Sequence, residues 1–322
     1  MAQIQYSIII TCYNQELFIR DAVESALSQT YIGREVIAVD DGSQDNSLTI
    51  LKYYEPAITV MGLPVNHGAA AARNIGAAVA AGEYLLFLDG DDVLTGDALE
   101  IYQRVITERG PTAIVSGAHW FSGSVPKAWR ESPKRIEFFE YHCLMAKDRP
   151  CGIYNGAFVV KRLAFQQVSG WSRELFHLDG QDLYTKLAYS GKAILIQAPY
   201  TMFYRMHAAN SIHSVSAYVT AAQLIMRREY AGVYPGGPSK KFERRARHGG
   251  IILFCVKRLL QARLYADATR LVRSGWSMIL AAISRRMLVC IKGRERMQII
   301  KMNVAEGGPS TIAVTRRSKA SS

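Results

Sequence analysis

Tyr84-Leu85-Leu86-Phe87-Leu88 runs into Asp89-Gly90-Asp91-Asp92, so a short apolar stretch ends in three carboxylates within four residues. A run of this length and composition predicts a buried strand, with the acids where the chain leaves the sheet. Three crowded carboxylates repel one another and need compensation. A hard divalent cation with oxygen ligands supplies it most economically, and Mg²⁺ or Mn²⁺ usually brings phosphate with it. The competing reading is a solvated Asp/Gly turn that caps a helix starting near Thr95.

Outward from that stretch, strands and helices alternate. Tyr6 to Ile10, Glu35 to Val39, Thr59 to Met61 and Ala113 to Ser116 read as further strands. Glu16 to Gln29, a segment opened by Asp45-Asn46-Ser47, the Ala-rich Ala69 to Ala81, and Thr95 to Glu108 read as helices. Such alternation with short loops predicts an α/β fold with a mostly parallel sheet flanked by helices. In such sheets ligands bind beyond the carboxyl ends of the strands. Three polar clusters fall there: Thr11 to Asn14, Asp40 to Ser43, and Asp89 to Asp92. The fingerprints GxGxxG and GxxxxGK[ST] are both missing, which argues against a dinucleotide-binding Rossmann unit and a P-loop.

Further on, Phe138-Phe139-Glu140-Tyr141 reads as the start of a helix, Ala157 to Val160 as a strand, and Arg162 to Val168 and Asp182 to Tyr189 as helices. Ala193 to Gln197 is another strand. From Val215 the pattern is helical, with helices expected over Lys241 to Gln261, Tyr265 to Ser274 and Trp276 to Ile291. The expected organisation is a sheet domain over 1–214, a basic helical region over 215–301 and a disordered tail over 302–322.

The net charge of +12 is uneven: residues 1–226 carry 18 Lys/Arg and 22 Asp/Glu, while residues 227–301 carry 18 Lys/Arg against 4 Asp/Glu. Basic character therefore belongs to the C-terminal helices and not to the acidic chemistry before them. Five scattered cysteines without CxxC spacing argue for a reducing compartment and against a zinc or disulfide framework. No secretory leader pattern and no membrane-spanning apolar run is evident, so a cytoplasmic location is expected.

Taken together, Ser7-Ile8-Ile9-Ile10-Thr11-Cys12-Tyr13-Asn14, Val39-Asp40-Asp41-Gly42-Ser43-Gln44-Asp45, Gly68 with Ala72-Arg73-Asn74-Ile75-Gly76, and Leu88-Asp89-Gly90-Asp91-Asp92 follow one another in a recognisable order. The chain resembles family 2 of the glycosyltransferases, closely over residues 6–95 and more loosely to about Ser211. The resemblance implies a GT-A fold binding a nucleotide-sugar, a divalent Mn²⁺ or Mg²⁺, and inverting transfer. Asp89-Gly90-Asp91 would be the family's DxD motif, with Asp91 on the metal, Asp89 on ribose or beside the metal, and Asp92 behind them. Thr11 and Tyr13 would line the base pocket. Asp40 or Asp41 would accept hydrogen bonds from a uracil N–H or ribose hydroxyls. Arg73 would help to hold the donor, and in Tyr204-Arg205-Met206-His207 the donor phosphates or metal region would meet Arg205 and His207.

The same resemblance asks for a general base in the second half, where the family usually carries Glu-Asp. Here the stretch is Leu178-Asp179-Gly180-Gln181-Asp182. One alignment puts Gly180 at the base position with Asp179 before it; a shift of two makes Asp182 the base. Asp182 is preferred, with Asp179 second. Trp171 either floors the acceptor site or belongs to the core.

Two classes of function follow. One is a metal-dependent enzyme moving a sugar, most simply from a UDP-sugar, to a hydroxyl of a saccharide or lipid-linked saccharide in polysaccharide biosynthesis. The other is a non-catalytic nucleotide-sugar-binding scaffold that has lost its base, as Gly180 suggests. The basic amphipathic helices predict a peripheral position on an anionic membrane surface at its inner face, and no motif accompanies them that would bind nucleic acid.

Overall fold

The computed structural model describes residues 5–126, 135–140, 158–175, 178–208, 215–292 and 298–301. In chain order the elements are β1 (Tyr6–Cys12), α1 (Ile19–Leu27), β2 (Arg34–Asp40), α2 (Ser47–Lys52), β3 (Thr59–Gly62), α3 (Ala69–Val79), β4 (Tyr84–Asp89), β5 (Val93–Leu94) and α4 (Ala98–Arg109). There follow β6 (Ala113–Ser116), β7 (Ala118–Phe121), β8 (Arg135–Glu140), β9 (Phe158–Lys161), α5 (Arg162–Gln167), α6 (Asp179–Ser190), β10 (Ala193–Ala198) and β11 (Met202–Arg205). Three helices, α7 (Val215–Tyr230), α8 (Lys241–Gln261) and α9 (Tyr265–Lys292), and the strand β12 (Gln298–Lys301) complete the order.

Nine strands form one sheet in the order β12-β8-β10-β6-β9-β4-β1-β2-β3. The pairs β3–β2, β2–β1, β1–β4 and β6–β10 are parallel, and β9 and β8 run against their neighbours. The sheet is thus mostly parallel, as expected. A smaller sheet, β5-β11-β7, stands beside its carboxyl edge.

Strand β1 is buried along its whole length because both faces of the sheet are covered. Its side chains alternate between two cores. Tyr6, Ile8 and Ile10 meet α1 and α4 through Ile19, Val23, Leu99 and Tyr102. Ile9 faces Ala72, Ala77, Phe165, Leu183 and Tyr184 on α3, α5 and α6. The alanines of α3 keep that helix close to the sheet.

Two local expectations are corrected. Residues 138–140 belong to the strand β8, antiparallel to β10, and not to a helix; the β-branched and aromatic composition of Arg135–Glu140 outweighs the weak helical reading. The helices expected on either side of Gly275 are one 28-residue helix, α9. Gly275 is no breaker: a Cβ there would come within 2.8 Å of Ile252 Cδ1, and one at Gly249 would run into the backbone of Met278. The two glycines let α8 and α9 pack at close range.

The C-terminal helices enclose a third core of Tyr218, Ala222, Ile225, Ile252, Cys255, Leu259, Leu271 and Met278, which Leu175 and Leu178 join from the segment before α6. Each large apolar side chain buried there contributes roughly 1.5–3 kcal/mol. The chain then returns to the sheet, where β12 pairs antiparallel with β8. The tail expected over 302–322 lies outside the described residues. Among the described residues no helix is long and apolar enough to cross a membrane.

Candidate active site

Register brings the polar clusters together. Thr11 on β1 lies opposite Asp89 on β4, and Cys12 lies opposite Asp40 on β2. The strands continue to bond as they end, Gly90 N–H to Thr11 O at 2.9 Å and Asp41 N–H to Cys12 O at 2.8 Å. The loop after β1 is laced to the loop after β2 by Asn14 N–H to Ser43 Oγ and Gln44 N–H to Asn14 Oδ1.

The two acids after β2 differ in what they have left to offer. Asp41 accepts the His67 and Gly68 N–H groups, both at 2.8 Å, and so pins the loop that starts α3. Asp40 accepts the Ser43 N–H through Oδ2 at 3.0 Å. Its Oδ1 is buried without a partner among the described residues. A buried bare carboxylate oxygen is costly, and of the two acids Asp40 is the one that keeps one. Nearby, the Tyr13 ring is 44% exposed and can stack on a base.

At the end of β4, Gly90 is fitted closely: a Cβ would meet Gln15 Oε1 and, at 3.0 Å, the Thr11 carbonyl. Asp89 Oδ1 accepts from Arg73 Nη2 at 2.6 Å and lies 3.5 Å from Thr11 Oγ1. Asp91 Oδ2 lies 2.9 Å from His207 Nε2. The second oxygens, Asp89 Oδ2 and Asp91 Oδ1, enter no hydrogen bond or ion pair among the described residues. Asp92 is buried, accepts the Arg205 N–H at 3.0 Å through Oδ1, and leaves Oδ2 without a partner there. Burial and then the Asp89 charge push the Asp91 carboxyl up, with His207 opposing. Burial, Asp91 and Asp89 push Asp92 up further. The site therefore carries more negative charge than its own cations balance.

Arg205 is spent on scaffolding. Its Nε donates to Asp91 O at 2.9 Å, Nη1 to Gly123 O at 2.8 Å and Nη2 to Asp21 at 2.6 Å, while Phe18 and Phe121 flank the guanidinium. It fixes the acidic turn to α1 and the small sheet. His207 lies against the Phe18 ring with its Nε2 at the acidic turn.

Arg73 joins the two halves. Its Nη2 holds Asp89 and its Nη1 holds Asp179 Oδ2 at 2.9 Å, and the guanidinium lies over the Trp171 ring at 4.7 Å. Its charged end thus orients two carboxylates. Trp171 is buried beneath it, packed edge-on against Phe87 and Phe158, so of its two readings the core one applies. Asn74, the next residue of α3, accepts the Trp171 N–H and donates to the Trp171 carbonyl. That clamp was not foreseen; a polar residue facing inward on an Ala-rich helix was the only signal.

Asp179 and Asp182 sit one turn apart at the start of α6 but look in different directions. Asp179 faces Arg73 and Asp89. Asp182 is 0% exposed and is held by Arg228 Nη1 at 2.9 Å, the Tyr234 hydroxyl at 2.8 Å and Lys186 Nζ at 2.8 Å. Buried and held by Arg228, Tyr234 and the Lys186 ion pair, Asp182 ties α6 to the C-terminal helices. Of the two candidate bases, Asp182 is thus the one bound up with the C-terminal helices, and Asp179 the one beside Arg73. Lys186 at i+4 was the sequence signal for this ion pair; Arg228 and Tyr234 carried none, because they arrive from distant elements.

Residues 7–168 match the model of glycosyl transferase family 2. The chain belongs to that family. An uncharacterised glycosyltransferase of Haemophilus influenzae is 41% identical over 97 residues, 29% of this chain and 39% of the relative. The putative teichuronic acid biosynthesis glycosyltransferase TuaG of Bacillus subtilis is 42% identical over 106 residues, 32% of this chain and 42% of the relative. The chain thus spans about two fifths of the length of these relatives. In structure, S. aureus TarS 1-349 in complex with UDP-GlcNAc superposes with a TM-score of 0.57 at 16% identity, over 95% of this chain and 98% of that one. The mannosyltransferase PcManGT of Pyrobaculum calidifontis, in complex with GDP-Man and Mn2+, gives 0.51 at 16% identity, over 88% and 87%. These likenesses show the GT-A fold.

Proposed function

We propose that this transferase moves a sugar from a nucleoside-diphosphate donor, most simply a UDP-sugar, to a hydroxyl of a saccharide or lipid-linked saccharide in polysaccharide biosynthesis, with inversion. The observation that carries this is the excess of acid at the β4 end: Asp89 and Asp91 each keep one unpaired oxygen beside a buried Asp92 that repels them both. Mg²⁺ and Mn²⁺ commonly bind through one or two carboxylates, with substrate phosphates and water completing the shell. Asp91 and Asp89 would hold such an ion, which supplies charge neutralisation for the departing diphosphate. Asp40 and Tyr13 bind the nucleoside, and Thr11 borders that pocket. Arg73 holds Asp89 and Asp179 on either side of its guanidinium. Asp179 takes the proton from the acceptor hydroxyl as its oxygen bonds to the anomeric carbon and the bond from that carbon to the phosphate oxygen breaks.

Titrating the full chain with nucleotide-sugars, with and without Mn²⁺, tests this reading. A cation-dependent rise in melting temperature with one donor is expected. Release of nucleoside diphosphate upon adding acceptor is expected to fall at least about 100-fold in Asp91→Ala. Turnover indifferent to that change and to chelator sinks the reading. The sealed Asp182 and the Gly180 beside Asp179 favour one rival, a nucleotide-sugar-binding protein without transfer. It predicts donor binding with no acceptor-dependent release.

A further inference from the structure

We propose that the outer face of α9 docks on an anionic lipid surface. Tyr265, Val272, Trp276, Leu280, Ile283 and Met287 follow one another at helical spacing along one face of this helix and are all exposed, Tyr265 by 61% and Trp276 by 60%. At 1.5 Å per residue the stripe is about 33 Å long. The opposite face, with Leu271, Gly275, Met278 and Ala282, is the one packed on α8. The helical layer therefore has its core already, and a stripe of large apolar side chains is left over. Monomeric proteins seldom expose such a patch without a use for it.

Charge selects the occupant. The acid in the first turn of α9 is Asp267, paired with Arg270 at 3.3 Å. Arg273 is exposed at the margin of the stripe and Arg270 is exposed farther round the helix, and with Tyr265, Thr269 and Ser274 they line a shallow hollow of about 710 Å³. Apolar side chains flanked by arginines, with Trp and Tyr among them, match a bilayer interface: rings and aliphatic groups enter the acyl boundary and guanidinium groups meet headgroup phosphates. A second copy of the chain would bring like charges together. Nucleic acid would satisfy the arginines but strand the apolar stripe in water. Nor does the helix span the bilayer, since it lacks the necessary apolar length. The inference goes beyond the transfer reaction and stands on residues remote from the candidate active site.

Co-sedimentation of the full chain with vesicles of phosphatidylcholine, alone or mixed with phosphatidylglycerol, tests it. Binding is expected on the mixed vesicles, weakened by salt, and absent on phosphatidylcholine alone. Trp276→Glu with Leu280→Glu is expected to lower partitioning at least about tenfold. Arg270→Gln with Arg273→Gln is expected to lower it roughly 20-fold. All four positions are exposed, and an unchanged circular dichroism melt checks that each variant folds. The proposal is overturned if no vesicle binding occurs, if the Trp276/Leu280 variant binds as the parent does, if these changes instead abolish a concentration-dependent dimer, or if the chain retains nucleic acid and not vesicles. Donor stabilisation measured on the same variants separates the two ideas: it stays unchanged if the docking face alone is lost, whereas a parent chain that binds vesicles but no nucleotide-sugar defeats the transferase reading and leaves this one standing.

Discussion

Two acidic clusters, one around Asp182 on α6 and one at the end of β4 that reaches α6 through Arg73 and Asp179, are built on opposite principles. Around Asp182 the acids have cationic partners: Arg228 and Lys186 flank it with the Tyr234 hydroxyl, and on α7 the neighbouring Glu229 has Arg244 at 3.0 Å and Arg245 at 3.9 Å. At the end of β4, three carboxylates share Arg73, His207 and a backbone N–H. Balanced buried charge fixes how elements dock. Unbalanced buried charge is a cost the fold retains, and it is relieved when a cation or ligand arrives. The difference separates the anchor from the candidate active site more sharply than residue type does.

Four substitutions can break or sharpen that contrast. The largest effect is expected for Asp182→Ala, which leaves Arg228 and Lys186 without their shared partner in a buried place. A loss of about 3–5 kcal/mol is expected in denaturant unfolding. A loss below about 1 kcal/mol would mean that the cluster is not an anchor.

Asp179→Asn is expected to act on chemistry and not on folding. Acceptor-dependent release should fall by about 10²–10⁴-fold with the donor-induced melting shift retained. Equal losses of donor binding and turnover would make Asp179 a donor-site residue held by Arg73, and would favour the rival without transfer.

A smaller effect of opposite sign is expected for Asp91→Asn. Removing one of three repelling charges should raise the melting temperature in chelator by about 2 °C, on the order of 1 kcal/mol for a chain of this size. The cation-dependent shift should vanish in the same variant. A fall in both would show that His207 needs the Asp91 charge more than Asp89 and Asp92 suffer from it.

The smallest is a pH slope. His248 is buried against the Tyr234 ring, and burial, Arg247 and Arg244 push it down from 6.5 to about 3. It is neutral in the native chain, while the unfolded chain takes up a proton below about 6.5. Its contribution is thus present above that pH and is lost as pH falls towards 3. Melts of parent and His248→Gln across this window should converge on acidification, with the parent falling faster.

Sequence alone determined much of the first half of the sheet. The buried runs Tyr6–Ile10, Glu35–Val39 and Tyr84–Leu88, with polar residues at their carboxyl ends, specify parallel strands and a ligand edge, because apolar periodicity and turn chemistry are local properties. The acid excess of Asp89, Asp91 and Asp92 was legible for the same reason. What each polar residue does with its hydrogen bonds was not. Asp40 and Asp41 are neighbours of one type, yet one is spent on the loop before α3 and the other keeps a bare oxygen. Asp182 read as a base until Arg228 and Tyr234 arrived from 46 and 52 residues away. Trp171 could line a site or a core until Arg73 covered it. Gly275 looked like a helix end until close packing on Ile252 explained it. Local pattern sets which elements form and which edge is polar. Only tertiary packing decides which charges are paired, because partners in a low-dielectric interior are chosen by proximity in space and not along the chain.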